Sequence, residues 1–478
     1  DSIKMRKKTK IVVTISDRNC EPELIQELFD NGMNLVRLNT AHQDCEGSLK
    51  VINNIRKVSD KIAILVDTKG PEIRITSVEK NFEVKKNEIV KIKGDPEKVS
   101  SRECIYITYK NIVNDLSINS KILIDDGSIE LTTIEKKDDY LICRVENDGI
   151  VEGKKSINIP YTNINLPALS PKDIEYINFA IEHDLDFIAH SFVRKKEDII
   201  AVKSILEAKN SNIKIIAKIE NQEGVDNIDE ILDYAYGVMI ARGDLAIEIP
   251  AKSIPRIQKQ IIDKCIKRRK PVIVATQMLH SMISNPRPTR AEISDVANAV
   301  YDGTDAIMLS GETAYGKYPV ESVKIMSDIA KDIEANTETY RELPPLVIST
   351  QVSAFLVKSA VKAGNELPVT AIVTDTTSGR TVRALAAFRG KNTIYAQCYS
   401  KQTMRKLALS YGVYVDFIEH QKSSHEFLYE ALKRYSNRDE FQKDNLILVI
   451  AGNFNRSKGA NFIEIGTVED LMEFERIV

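Results

Sequence analysis

The stretch IIAKIENQEG (215–224) sets Lys218 and Glu220 at the end of an otherwise apolar run. Side chains alternate along a strand with a period of two, so both charges project from one face. A lysine and a glutamate closing a core-facing strand are costly to desolvate, which leaves two readings open. They neutralise each other for stability, or they hold something charged. On the next apolar segment, VMIARGDLAIEIP (238–250), Asp244 reaches the corresponding end if the segment is the neighbouring strand. Two carboxylates converging there suit a divalent magnesium or manganese ion, and the ammonium beside them suits a phosphoryl group. A buried ion-pair cluster is the competing reading.

Further segments carry groups of the same kind. In VRLNTAH (36–42) Arg37 and Asn39 share a strand face, and in VDTKGPEIR (66–74) so do Asp67 and Lys69 if the strand runs that far. The planar fork of a guanidinium suits phosphate; polar strand ends that bond loop backbone are the plainer explanation. Thr276 closes the run PVIVATQML (271–279), either as an ordinary β-former or as a hydroxyl for ligand oxygen and proton relay through water. In TDTTSGRTVRALAAF (374–388) a strand gives way to a turn and a helix start. Thr376, Thr377, Ser378, Gly379, Arg380 and Thr381 there either receive an anion on free N–H groups or simply cap the helix. LSGETAYGKY (309–318) imitates a G-x-x-x-x-G-K phosphate loop, but Tyr318 stands where a small hydroxyl is required and Glu312 brings negative charge. That argues against a nucleotide loop.

Bulk properties exclude several classes. The 478 residues carry 67 Lys and Arg against 69 Asp and Glu, a balance that gives no sign of a nucleic-acid or membrane partner. No apolar run is long enough for a bilayer, and the opening DSIKMRKKTK lacks the apolar core of a signal peptide, so a cytoplasmic protein is expected. Six scattered cysteines without C-x-x-C spacing read as reduced thiols, and six histidines show no metal spacing. Any metal should therefore be a hard, oxygen-liganded ion. No Ser–His–Asp or Cys–His set supports covalent nucleophilic catalysis.

The elements that must position these groups follow from periodicity. Short apolar strands at 10–15, 35–39, 62–68, 187–192, 215–220, 238–244, 271–277 and 306–311 alternate with helical patterns at 21–32, 170–184 and 225–236, among others. Ser170 is expected to cap the second of these helices, with Pro171 in its first turn. Eight βα repeats predict an α/β fold of the (β/α)₈ TIM-barrel class, with its site at the carboxyl ends of the strands, where the polar residues fall. A doubly wound sheet is the alternative, though it brings eight ends to one point less readily. From about 71 to 167 the pattern changes to short alternating strands with turn signals, an all-β insertion hinged at GP (70–71) and LPALSP (166–171). After RELPPL (341–346) a smaller α/β unit follows. The expected domains are 1–70 and 168–341 for the barrel, 71–167 for the insert and 342–478 for the C-terminal unit.

Taken together, VRLN, DTKGPEIR, AKIEN, MIARGDLAIEIP, ATQML and NPRPTRAEISDVANAVYDGTDAIMLSGETAYGKYP resemble pyruvate kinase, across the barrel and insert and more weakly in the C-terminal unit. The resemblance implies a barrel, a small β-barrel lid inserted after the third strand, and a C-terminal effector domain. It implies a glycolytic phosphotransferase that moves the phosphoryl group of phosphoenolpyruvate to ADP, giving ATP and pyruvate after enolate protonation. Carried over by motif, Lys218 stabilises the phosphoryl group in flight, Arg37 grips it, and Glu220 and Asp244 hold magnesium or manganese. Backbone N–H groups around Ala241, Gly243 and Asp244, with the Thr276 side chain, bind the substrate carboxylate. Thr276 also helps protonate the enolate, and Arg74, Lys155 and His42 correspond to nucleotide contacts. A homotetramer and a sugar-phosphate or nucleotide effector at Thr376–Thr381 are further implications. The alternative is a catalytically silent effector-binding protein of the same fold.

Two departures stand out. Where the family reads R-L-N-F-S-H-G, this chain has Thr40 and Ala41 for Phe and Ser, and Gln43 for Gly. In the family that serine helps hold a monovalent cation with the residues that stand here as Asn39, Asp67 and Thr68. Glu72 is the residue type that accompanies potassium dependence, so potassium is expected to activate, with water in place of the lost ligand. The second departure is AGNFNRSKGANFIEIG (451–466), which lacks the tryptophan and Gly-rich loop of the fructose-1,6-bisphosphate-regulated members.

Overall fold

In the computed structural model, residues 6–452 and 459–473 are described. The first five residues of the opening segment, and residues 453–458 within the 451–466 segment, lie outside them. Eight parallel strands close into a barrel: Lys10–Thr14, Leu35–Asn39, Ala63–Asp67, Phe187–His190, Lys214–Ile219, Gly237–Ala241, Val272–Ala275 and Ala306–Leu309. Each pairs with its sequence neighbours, and the first closes on the last through registers such as Val12 with Met308. Inward side chains including Val12, Leu35, Leu65, Ile216, Met239 and Met308 fill the interior as one buried apolar cluster. Two residues further along, the same faces carry Thr14, Arg37, Asp67 and Lys218. The period of two therefore stacks a polar layer directly on an apolar one at the carboxyl rim.

Between Asp67 and the helix Pro171–Glu182 the chain builds a seven-stranded, mostly antiparallel sheet and a two-stranded ribbon around a separate core. Ser170 and Asp173 form a capping box at the re-entry, with Pro171 in the first turn as expected. At the exit, Gly70 has φ +74°, and an added Cβ would lie 2.9 Å from the side chains of both Ser191 and Phe192. Only glycine fits there.

The C-terminal unit is a five-stranded sheet in the order Val413–Phe417, Thr393–Cys398, Val369–Thr376, Leu446–Ala451 and Phe462–Thr467, the last strand antiparallel. It plugs the amino-terminal end of the barrel: Ala408 and Leu409 join the interior cluster. Two buried ion pairs flank that plug, Arg405 Nε to Asp186 at 2.7 Å and Arg389 Nη2 to Asp305 at 2.9 Å.

Three details differ from the sequence reading. The strand expected through 244 stops at Ala241, and Asp244 lies in the first turn of a helix, Arg242–Glu248. The helix expected over 225–236 is two, Gln222–Asp226 and Ile228–Tyr234, because Asn227 turns its amide to the Arg194 carbonyl at 2.8 Å. The strands Val413–Phe417 and Phe462–Thr467 were not anticipated; their alternation is short and half polar.

Candidate active site

At the carboxyl rim a single buried junction gathers residues from the ends of five strands. Lys218 Nζ lies 2.9 Å from Asp67 Oδ1 and 3.2 Å from Glu220 Oε1. Arg37 Nε meets the other Asp67 oxygen at 2.6 Å, and its Nη1 donates to Thr14 Oγ1 at 3.1 Å. Ser191, directly after the strand Phe187–His190, is the hub: its Oγ is 3.1 Å from both Lys218 Nζ and Asp67 Oδ1 and donates to the Thr68 carbonyl at 2.5 Å. Burial opposes the charge on Lys218, yet Asp67 and Glu220 outweigh it and hold the ammonium well above the usual lysine range. Asp67 is raised by burial but lowered further by Arg37 and Lys218, so it stays a carboxylate below its ordinary value.

Glu220 behaves differently. Burial pushes it up to about 8 despite Lys218, and the neighbouring Asp244 carboxylate adds to the rise. Asp244 is itself raised, first by burial. Phe192 N–H, held by a left-handed backbone at φ +56°, donates to Glu220 Oε2 at 2.5 Å and aims the carboxylate. Two desolvated carboxylates that resist ionising beside one another fit a divalent, oxygen-liganded ion, which would relieve both. Among the described residues no set of three His, Cys, Asp or Glu forms a closed metal cage.

Opposite them, the helix start at Ala241 and Gly243 meets Thr276: Gly243 N–H donates to Thr276 Oγ1 at 2.7 Å. Thr276 and Gln277 both adopt positive φ, +73° and +56°. Arg242 fixes that strained turn by donating to the Thr276 carbonyl at 2.7 Å while paired bidentately with Asp295 at 2.5 and 2.8 Å. Glu312, in the imitation phosphate loop, is buried and accepts from the backbone N–H groups of Ser310 and Leu279, each at 3.1 Å. It closes a loop rather than cradling an anion.

Above the rim a cleft of about 530 Å³ separates barrel from insert, lined by Glu72, Arg74, Asp126, Phe192, Asp244 and Glu248 among others. Arg74 pairs with Glu72 at 2.6 Å and donates to the Lys154 carbonyl at 2.7 Å. Lys155 stands 3.4 Å from Glu152 and 3.6 Å from Asp125, and is absent from the lining of the cleft. His42 is exposed beside the second strand. Asn39 Oδ1 accepts from Ala41 N–H at 3.2 Å, and Thr40 turns its hydroxyl to the Asp67 carbonyl at 2.6 Å. Thr68 Oγ1 accepts from Ser191 N–H at 3.0 Å.

His190, unassigned by the sequence, joins both chains that connect insert to barrel. Its Nδ1 lies 3.1 Å from Thr68 Oγ1 on the outgoing chain and its Nε2 2.9 Å from the Ala168 carbonyl on the returning one. Asp173 holds Gly70 N–H at 3.1 Å, and Arg194 Nη1 grips the Ile164 carbonyl at 2.6 Å. The contacts of Thr68 with His190 and of Gly70 with Asp173 span 122 and 103 residues of sequence, so no local pattern announces them. In the C-terminal unit Thr376 Oγ1 accepts from Gly379 N–H at 2.7 Å, Gly379 has φ +85°, and the helix Arg380–Ala387 begins directly after.

Residues 6–323 match the model of the pyruvate kinase barrel domain, and 355–466 that of the pyruvate kinase alpha/beta domain. The chain belongs to the pyruvate kinase family. The pyruvate kinase of Borreliella burgdorferi is 46% identical, over 98% of this chain and 99% of that one. That of Staphylococcus saprophyticus is 44% identical, over 97% of this chain and 81% of its own length. Among solved structures, a pyruvate kinase from Cryptosporidium parvum superposes with TM-score 0.90 at 34% identity, covering 97% of this chain and 96% of that one. Fold and family therefore agree, and the chain is a phosphotransferase of pyruvate kinase type. Nothing in these matches favours the catalytically silent alternative. Among the described residues no helix is long and apolar enough to cross a membrane.

Proposed function

We propose that the barrel mouth transfers the phosphoryl group of phosphoenolpyruvate to ADP, with Lys218, Arg37, Glu220, Asp244 and Thr276 as its working residues. The observation that carries this reading is the buried junction itself: an ammonium and a guanidinium fixed on one carboxylate, with two ion-hungry acids alongside. Phosphoryl transfer needs positioning and charge neutralisation more than bond-making side chains. Lys218 neutralises the group in flight and Arg37 holds it from the side. Asp67 and Ser191 keep both cations in place. A magnesium or manganese ion on Glu220 and Asp244 would add positive charge at the substrate's carboxylate or enolate oxygen and its phosphate.

Thr276 Oγ1 already accepts the Gly243 N–H, so its single proton is left to donate. That proton serves the substrate carboxylate or a water that protonates the enolate. Ala241 and Asp244 add backbone N–H groups at the same helix start. Arg74, Lys155 and His42 receive the nucleotide phosphates when the 71–167 insert, hinged at its two connecting chains, closes over the cleft and excludes water. The remaining limits, 1–70 with 168–341 for the barrel and 342–478 for the C-terminal unit, complete this division.

Asn39, Asp67 and Thr68 would hold potassium. Both Asp67 oxygens are shared with Arg37 and Lys218, and Ala41 offers no side-chain oxygen, so water completes that shell. Activity should rise with potassium at constant ionic strength; equal rates with and without it would exclude this part. An effector phosphate at Thr376–Thr381, a homotetramer and a cytoplasmic setting belong to the same reading. The deciding assay is pyruvate formation from phosphoenolpyruvate. It should require both ADP and a divalent cation, and pyruvate formed at full rate without ADP would contradict the transfer.

A further inference from the structure

The helix Arg242–Glu248 carries Asp244 in its first turn and meets the insert with its last. Asp244 and Glu248 stand four residues apart, so they share one face of that helix, and both line the cleft. Asn158, which ends the insert strand Ser156–Asn158, donates from Nδ2 to Glu248 Oε1 at 3.3 Å. The same strand pairs with Arg74 through Ser156 and with Leu123 through Asn158. Ser156 Oγ also donates to Asp126 Oδ1 at 3.1 Å, in the turn that follows the strand Lys121–Ile124. At Gly127 of that turn an added Cβ would lie 4.0 Å from Ile247 Cγ2. A strand end and a turn of the insert, bonded to one another, therefore both rest on the last turn of the helix that presents Asp244.

Glu248 reaches the segment of the other acid as well. Burial raises its carboxyl, against the Asn158 amide and the Gln222 N–H, which favour its charge. Gln222 opens its helix two residues after Glu220. One half-buried carboxylate thus touches the insert, the helix of Asp244 and the turn beyond Glu220. A contact that only props the insert would have no need to meet both acid-bearing segments.

We infer that Glu248 is a positioning residue which, through its bond to Asn158, couples the seating of the insert on the barrel to divalent-ion binding at Glu220 and Asp244. The coupling rests on the ion proposed for the barrel mouth. An ion that fixes Asp244 fixes the short helix, and with it the acceptor that Asn158 must meet. By linkage, a seated insert must tighten the ion by the same factor by which the ion favours the seated insert.

Manganese alone, titrated into the full chain without nucleotide or phosphoenolpyruvate and followed by electron paramagnetic resonance, tests this, with Glu220→Gln as the control for the site. Glu248→Ala and Asn158→Ala should each weaken the ion about fivefold or more, the lower end of a typical coupling between sites, and the double variant no further than either alone. Asn158→Asp, which sets two carboxylates face to face, should weaken it at least as much. Asn158→Asp combined with Glu248→Gln exchanges donor for acceptor and should restore affinity to within about twofold of the parent. Hydrogen exchange over residues 156–159 should slow on adding manganese in the parent and in the exchanged pair, and not in either alanine variant. Unchanged affinity in both alanine variants, or losses that add in the double variant, would overturn the coupling while leaving the ion at Glu220 and Asp244. Manganese binding that Glu220→Gln does not weaken would remove the ion from that site and the coupling with it.

Discussion

At the residue scale the site is a problem in charge, and Glu220 exposes it. Its folded value of about 8 lies above its ordinary value of 4.5. Between the two, the folded chain keeps a proton that the unfolded chain has released, so without metal stability falls as pH rises through that window. In chelator the thermal midpoint should decline from about pH 5 to about pH 8 more steeply for the parent than for Glu220→Gln. Magnesium must expel the same proton. Titrations at neutral pH, in buffers of different ionisation enthalpy, should show close to one proton released per ion; none released would mean that Glu220 is not the ligand. Lys218 and Glu220 were legible as a pair because a strand alternates and they stand two apart. Ser191 was not, since its partners Asp67 and Lys218 lie on other strands and a serine at a strand end is ordinary.

At the scale of elements, the junctions between strand and loop decide what the rim presents. Barrel and insert were readable because buried parallel strands are continuous apolar runs while the insert alternates. Asp244 was assigned to the right rim but the wrong element: MIARGD reads as one run, yet the chain turns helical at Arg242, which anchors on Asp295 and the Thr276 carbonyl. The hinges are equally a matter of side chains from elsewhere. His190 bridges the two connecting chains through Thr68 and Ala168, and His190→Ala removes both bonds. Hydrogen exchange should then quicken at 68–75 and 164–170 while the remaining barrel strands keep their protection. The KM for ADP should rise several-fold with little change in that for phosphoenolpyruvate. Unchanged exchange at both hinge segments would show that the imidazole is only filling space.

For the whole molecule, the C-terminal unit is the floor of the barrel as much as a neighbour to it. Asp186 and Asp305 start barrel strands and are buried, and each takes its arginine from the C-terminal unit. Nothing in the sequence links those positions, which lie 219 and 84 residues from their partners. Removing one partner of a buried pair typically costs about 3–5 kcal/mol. Arg405→Met should approach that loss in chemical denaturation, tempered by Arg56, whose Nη2 lies 3.6 Å from Asp186. Adding Asp186→Asn should recover part of it; no recovery would locate the cost elsewhere. Transfer in this molecule rests on the ammonium at 218 acting on the migrating phosphoryl group. The most direct measurement is the single-turnover rate of phosphoryl transfer to ADP in Lys218→Met, with folding checked by thermal unfolding. A fall of about 10² to 10³, the scale of a lost positioned charge, is predicted with the fold intact; a rate within threefold of the parent would contradict it.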